Sequence, residues 1–156
     1  YVMVRPTNNY GIGQYVEKLI PKVCKFLSTG RKIPLHDNGE PYRMWLHAKD
    51  TANAIITIIE SNSVNEIYNI SGDFEQRNID TVRKIVNLYF ENYHIDVGES
   101  ELDMNDYCDF SCVRPGQDIR YSVDDSKLRG LGWKPTCNFD EELVEIVKYY
   151  KSNFIW

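Results

Sequence analysis

Two amides and two guanidinium groups are the side chains of this sequence best suited to hold a ligand. Asn8 and Asn9 stand together in Arg5-Pro6-Thr7-Asn8-Asn9-Tyr10-Gly11, directly behind the β-type run Tyr1-Val2-Met3-Val4. Amide side chains both donate and accept hydrogen bonds, and the carboxyl end of a strand is where open α/β sheets place their ligands. Arg43 follows the turn Asp37-Asn38-Gly39-Glu40, and Arg114 lies in Val113-Arg114-Pro115-Gly116-Gln117-Asp118, where the Pro-Gly pair restricts the backbone. A planar guanidinium offers paired hydrogen bonds to phosphate oxygens. Two of them at the rim of an α/β sheet suit a diphosphate, although a single surface arginine is more often solvated or ion-paired.

Other chemistries are poorly supplied. Gly11-Ile12-Gly13 begins a dinucleotide-binding G-x-G-x-x-G, but Val16 stands where the third glycine belongs. No tyrosine is followed four residues later by a lysine, so the proton-transfer pair of a Tyr-x-x-x-Lys dehydrogenase is not encoded here. With only His36, His47 and His94, no Ser-His-Asp or metal-ligand spacing is visible. Cys24, Cys108, Cys112 and Cys137 form no C-x-x-C pair and are expected as free thiols of a cytoplasmic protein.

The elements that must position the polar groups alternate between strand and helix. After the opening strand and its polar turn, Leu19, Ile20, Val23, Phe26 and Leu27 recur at helical spacing up to Gly30, with Pro21 harmless in the first turn. Lys32 to His36 and Arg43 to His47 read as extended segments. Ala48, Ala52, Ile55, Ile56 and Ile59 form a stripe that predicts a helix buried on that face. Glu66 to Ile70 reads as a buried strand. Asn78 is expected to cap a helix with the stripe Ile79, Val82, Ile85, Val86 and Tyr89. Residues 94 to 112 show no period and predict a long loop. Arg120 to Val123 reads as a strand, and Asp124 or Asp125 caps a short helix ending near Gly130. Asn138 and Glu141 open a last helix that buries Phe139, Leu143, Ile146, Val147 and Tyr150. Fold class is therefore α/β. At 156 residues the chain is one domain's worth, short for a complete doubly wound fold with a second lobe. A net charge of −5 argues against a nucleic-acid partner, and no apolar run reaches the length of a membrane span.

In order and spacing the chain resembles the C-terminal portion of the nucleoside-diphosphate-glucose 4,6-dehydratases, within the extended short-chain dehydrogenase/reductases. The resemblance is carried by Arg5 to Gly11, Glu17-Lys18-Leu19-Ile20-Pro21, Gly39 to Arg43 with Trp45-Leu46 and Asp50, and Tyr68-Asn69-Ile70-Ser71-Gly72. It continues through Asn78-Ile79-Asp80, Arg114-Pro115-Gly116 to Arg120-Tyr121, and Leu131-Gly132-Trp133-Lys134-Pro135. It implies the last Rossmann strands plus a small α/β substrate-binding domain across residues 1–156. The NAD-binding portion and the catalytic residues are expected upstream of residue 1. It also implies that Asn8 contacts the nucleotide-sugar and Asn9 the nicotinamide end of NAD. Lys18 and Leu19 line the diphosphate and nucleoside pocket; Pro34, Leu35 and His36 flank the base; Arg43 and Arg114 clamp the diphosphate; Asn78 and Gln117 lie on the nucleotide side. No metal is implied, and the parent is expected to be a homodimer.

The reaction so implied oxidises the glucose ring at C4, eliminates water across C5–C6, and returns the hydride to C6, regenerating NAD. The 156 residues alone are expected to be inactive. Three departures from the family pattern stand out: His36 in place of a tyrosine, Gln117 in place of a histidine, and Met44 in place of an aspartate. The first two touch the nucleoside side and leave the choice between thymidine and uridine nucleotides open. The alternatives are a fragment of a nucleotide-sugar 4-epimerase or decarboxylase, and a non-catalytic nucleotide-sugar-binding module.

Overall fold

The computed structural model describes residues 1–90 and 102–153. Strand β1 (Val2–Pro6) pairs in parallel with β5 (Glu66–Ile70), from Val2 opposite Glu66 to Pro6 opposite Ile70. The Asn-rich segment expected as a turn is instead a short strand, β2 (Asn8–Tyr10), parallel to β4 (Tyr42–His47), with Asn8 opposite Trp45. Pairing, not composition, makes this polar stretch extended. On its other side β4 runs antiparallel to β6 (Phe74–Arg77), and its first two residues also pair with β8 (Arg120–Tyr121). A third pair joins β3 (Ile33–Pro34) to β7 (Cys108–Asp109).

Helices α1 (Leu19–Ser28), α3 (Asn78–Tyr89) and α6 (Phe139–Ser152) enclose the larger core. Asn138 caps α6 by accepting from the N–H groups of Asp140 and Glu141, and all five apolar residues expected on its face are buried. Helix α2 (Ala48–Glu60) covers the smaller core with Ala54 and Ile58, together with Tyr68, Ile70, Leu128 and Trp133.

The expected strand Arg120 to Val123 is reduced to Arg120–Tyr121, and further sequence expectations need correction. The stripe Ala48, Ala52, Ile55, Ile56 and Ile59 is exposed, Ile59 to 69%. Periodicity located an apolar face, but α2 packs through the adjacent face carrying Asp50, Ala54 and Ile58. Asn78 is the first residue of α3, not its cap: Arg77 belongs to β6 and keeps an extended backbone there, so it takes the cap position. Within the expected loop at 94–112, α4 (Met104–Tyr107) and β7 are formed, because Cys108 and Asp109 find a partner strand in β3; residues 94–101 lie outside the described residues. The extended segment at 32–36 shrinks to β3, since His36 opens a tight 3-10 turn, His36–Gly39, with Asp37 and Asn38 at positive φ. Asp125 takes the cap position of α5 (Ser126–Arg129) without a side-chain capping bond, while Asp124, one residue earlier, accepts from Ser126 N–H.

One buried charge ties the two cores together. Asp50 is 1% exposed and accepts hydrogen bonds from Thr136 N–H and hydroxyl and from Cys137 N–H, at 2.9 to 3.1 Å. Burial pushes its carboxyl up, but these donors outweigh burial and hold it below the usual aspartate value. Asp50→Ala strands three donors and is expected to cost about 3 kcal/mol, at the upper end for bonds to a charged group. Because the folded-state value is depressed, this contribution is present above the unfolded-state pKa and disappears as pH falls through the folded one. Urea melts should therefore show a wide gap between wild type and variant at neutral pH that narrows below about pH 4. A gap that is constant with pH would refute the assignment.

Candidate functional site

One cleft of about 680 Å³ opens where β2, β4, the N-terminus of α1 and the 114–121 segment meet, within the usual range for small-molecule sites. Each sequence-predicted residue lies on its wall. Asn8 and Asn9 come from β2, Lys18 and Leu19 from the start of α1, Pro34 from β3, and Leu35 and His36 from the turn beyond it. Arg43 comes from β4, Asn78 from the first turn of α3, and Arg114 and Gln117 from the segment leading to β8. The correction at Asn78 matters here. With Arg77 in the cap position and Asn78 N–H bonded to Pro41 O, the Asn78 side chain makes no capping bond.

The electrostatics of the cleft are unbalanced toward cations. Several basic side chains elsewhere are matched: Arg120 makes a two-bond fork with Glu75, Arg77 bonds Asp80, and Arg129 bonds Asp73 and Asp125. Among the described residues, none of the four cations lining the cleft, Lys18, Lys22, Arg43 and Arg114, has a carboxylate within 4.0 Å. Arg43 is anchored on backbone, donating to Tyr42 O and Asp118 O at 2.6 and 3.0 Å. Burial lowers its pKa, Asp118 opposes this, and the neighbouring Arg114 guanidinium lowers it further. Two like charges on one wall favour an anion between them. The N-terminus of α1 adds to the field: Lys18 provides no side-chain cap and the first turn has no acidic residue.

The wall also carries polar atoms with nothing to bond. Among the described residues, Thr7 Oγ1, Asn8 Oδ1, His36 Nδ1 and Trp45 Nε1 are buried without a hydrogen-bond partner, and all four residues line this cleft. Asn9 is more committed: its amide donates to Thr7 O and accepts from Thr51 Oγ1. Sequence reasoning missed Pro6, Thr7, Gln14, Glu17, Lys22, Trp45 and Tyr121 as lining residues, Glu17 being the one carboxylate among them. Lys22 was accessible from helical spacing, one turn beyond Lys18. Trp45 was accessible from strand alternation, two residues beyond Arg43.

Tertiary packing also assembles a group that the sequence does not announce. Donor atoms of His47, Cys137 and Glu142 all lie within 4.8 Å of one another, beside a second hollow of about 350 Å³. His47 Nδ1 accepts the N–H of Lys49, so the neutral ring carries its proton on Nε2, which faces Glu142 at 3.5 Å. Lys49 also bonds Glu142, and burial pushes the Cys137 thiol up to about 11. The arrangement is a closed polar network, with no imidazole lone pair left for an ion.

Residues 1–146 match the family model described as GDP-mannose 4,6 dehydratase. A dTDP-glucose 4,6-dehydratase of Escherichia coli is 35% identical over 156 residues, covering 99% of this chain and 42% of that protein. The crystal structure of dTDP-glucose 4,6-dehydratase from Bacillus anthracis in complex with NAD superposes with a TM-score of 0.79 at 33% identity. That match covers 97% of this chain and 45% of that one. A UDP-glucuronic acid 4-epimerase from Bacillus cereus, at 20% identity and a TM-score of 0.77, shares the fold. The chain spans well under half the length of the relatives it matches.

Proposed function

The chain belongs to the GDP-mannose 4,6 dehydratase family, and from that premise we propose that it holds the nucleotide-sugar substrate of an NAD-dependent 4,6-dehydratase acting on a dTDP- or UDP-glucose. The observation that carries this reading is the pair Arg43 and Arg114, which line one cleft and, among the described residues, have no carboxylate within 4.0 Å. A diphosphate bridging them removes their mutual repulsion and satisfies both guanidinium forks. Lys18, Lys22 and the open end of α1 add positive potential on the same wall. Such remote grip on a non-reacting group is converted into correct placement of the sugar ring.

When bound, NAD supplies reversible hydride transfer with the sugar, so none is consumed overall. These residues fit only its nicotinamide end: Asn9 keeps one amide hydrogen after its bonds to Thr7 and Thr51, while no glycine-rich phosphate cradle is present in the sequence. The dinucleotide and the proton-transfer pair therefore require a further portion of protein. Among the described residues β1 pairs only with β5, and Met3 and Ile67 are exposed on the face of this pair opposite the one α2 covers. Parallel strands are normally covered on both faces, so this face is the surface on which a cofactor-binding portion packs. We place the protein in the cytoplasm, as a homodimer when whole. No helix among the described residues is long and apolar enough to cross a membrane.

The test is turnover. Full-length protein supplied with NAD and dTDP- or UDP-glucose should form a 4-keto-6-deoxy sugar nucleotide, and residues 1–156 alone should form none. Release of a 4-epimer in place of the dehydrated product would overturn the dehydratase reading. Activity of the isolated 156 residues would overturn the division of labour.

A further inference from the structure

We infer that Thr7 and Trp45 form, with Asn8, a neutral hydroxyl-reading floor that positions the hexose of the substrate; this rests on the nucleotide-sugar reading above. Thr7 is 4% exposed and Trp45 6% exposed, yet the Thr7 hydroxyl and the Trp45 indole N–H have no partner among the described residues. Buried polar groups are almost always bonded, and exceptions call for an explanation. Both residues line the cleft beside Asn8, whose Oδ1 is also unpartnered.

Backbone pairing places all three residues, and ring packing holds the indole. Thr7 N–H donates to Ile70 O at 2.9 Å, extending the β1–β5 ladder, and Thr7 O accepts from Asn9, so only the hydroxyl is left over. Trp45 sits opposite Asn8 across β2–β4, and its ring is wedged against Tyr10 and Phe139 at 6.0 and 5.6 Å between centroids. The set therefore comprises one fixed donor, one acceptor and one hydroxyl that does both, with no formal charge. That mixture is wrong for phosphate, which only accepts. It matches adjacent sugar hydroxyls, each of which donates and accepts.

Position agrees with chemistry. Thr7 lies immediately beyond the carboxyl end of β1, where the reacting part of a ligand belongs in an open α/β sheet. Trp45 is two residues along β4 from Arg43 and on the same face, beside the phosphate clamp.

The experiment compares full-length wild type with Thr7→Val, Thr7→Ser and Trp45→Phe by calorimetry, using nucleoside diphosphate and the corresponding nucleotide-glucose. Wild type should bind the sugar nucleotide more tightly than the diphosphate. Thr7→Val and Trp45→Phe should each lose about tenfold on the sugar nucleotide, with diphosphate binding unchanged, and Thr7→Ser should restore the wild-type value. Equal losses on both ligands, or no loss on either, would overturn the inference and leave the phosphate clamp standing. Wild type that binds neither ligand would remove the nucleotide-sugar reading itself.

Discussion

Arg114→Ala is expected to weaken nucleoside-diphosphate binding by roughly 10- to 100-fold without altering the melting temperature, since charge-assisted hydrogen bonds contribute about 1.5–3 kcal/mol each. Arg114 is exposed and its side chain makes no ion pair among the described residues, so little of the fold depends on it. Arg43→Ala should produce a similar loss of binding together with a modest loss of stability, because Arg43 also ties β4 to the 114–121 segment through Asp118 O. Arg43→Lys should recover charge but not affinity, as an ammonium cannot anchor on backbone and fork to phosphate at once. Wild-type affinity should fall as salt is raised, and the double variant should lose most of that dependence. Titration calorimetry at two ionic strengths decides the matter. Arginine variants that bind the diphosphate as wild type does would leave the cleft without its assigned ligand.

Gly72→Ala is expected to be the most damaging single methyl group that can be added near the site. A Cβ on Gly72 would stand 1.7 Å from Trp45 O and 2.7 Å from Trp45 C, both backbone atoms of β4. No rotamer change relieves a backbone-to-backbone overlap, so β4 and the chain after β5 must separate. Such overpacking costs roughly 3 kcal/mol or more, a large part of the total stability of a domain of this size. The variant should be insoluble, or melt at much lower denaturant, with the Trp45 environment perturbed by fluorescence. An unchanged urea midpoint would show that the close approach of Gly72 to β4 is not a feature of the folded protein.

Local pattern and chemical type were legible in the amino-acid order. The stripes of α1, α3 and α6 were readable because each helix turns one continuous apolar face to the core, and Phe139, Leu143, Ile146, Val147 and Tyr150 are all buried. The residue types suited to a diphosphate, Arg43 and Arg114, were recognisable from guanidinium chemistry alone. Packing decided the rest. Periodicity could mark Ile55, Ile56 and Ile59 as one face of α2, but only the neighbours of α2 determine which face is covered, and they cover Ala54 and Ile58. Asn8–Tyr10 and Cys108–Asp109 are strands because partners exist for them, and a two- or three-residue segment carries no period of its own. Convergence of distant arginines on one cleft, and the unbonded state of Thr7 Oγ1 and Trp45 Nε1, depend on what lies across a few ångströms of space. Hydrogen bonding and Coulomb repulsion act through that distance and not through position along the chain. The order of residues therefore specified the functional groups, and folding alone specified which were brought together and which were left for a ligand to complete.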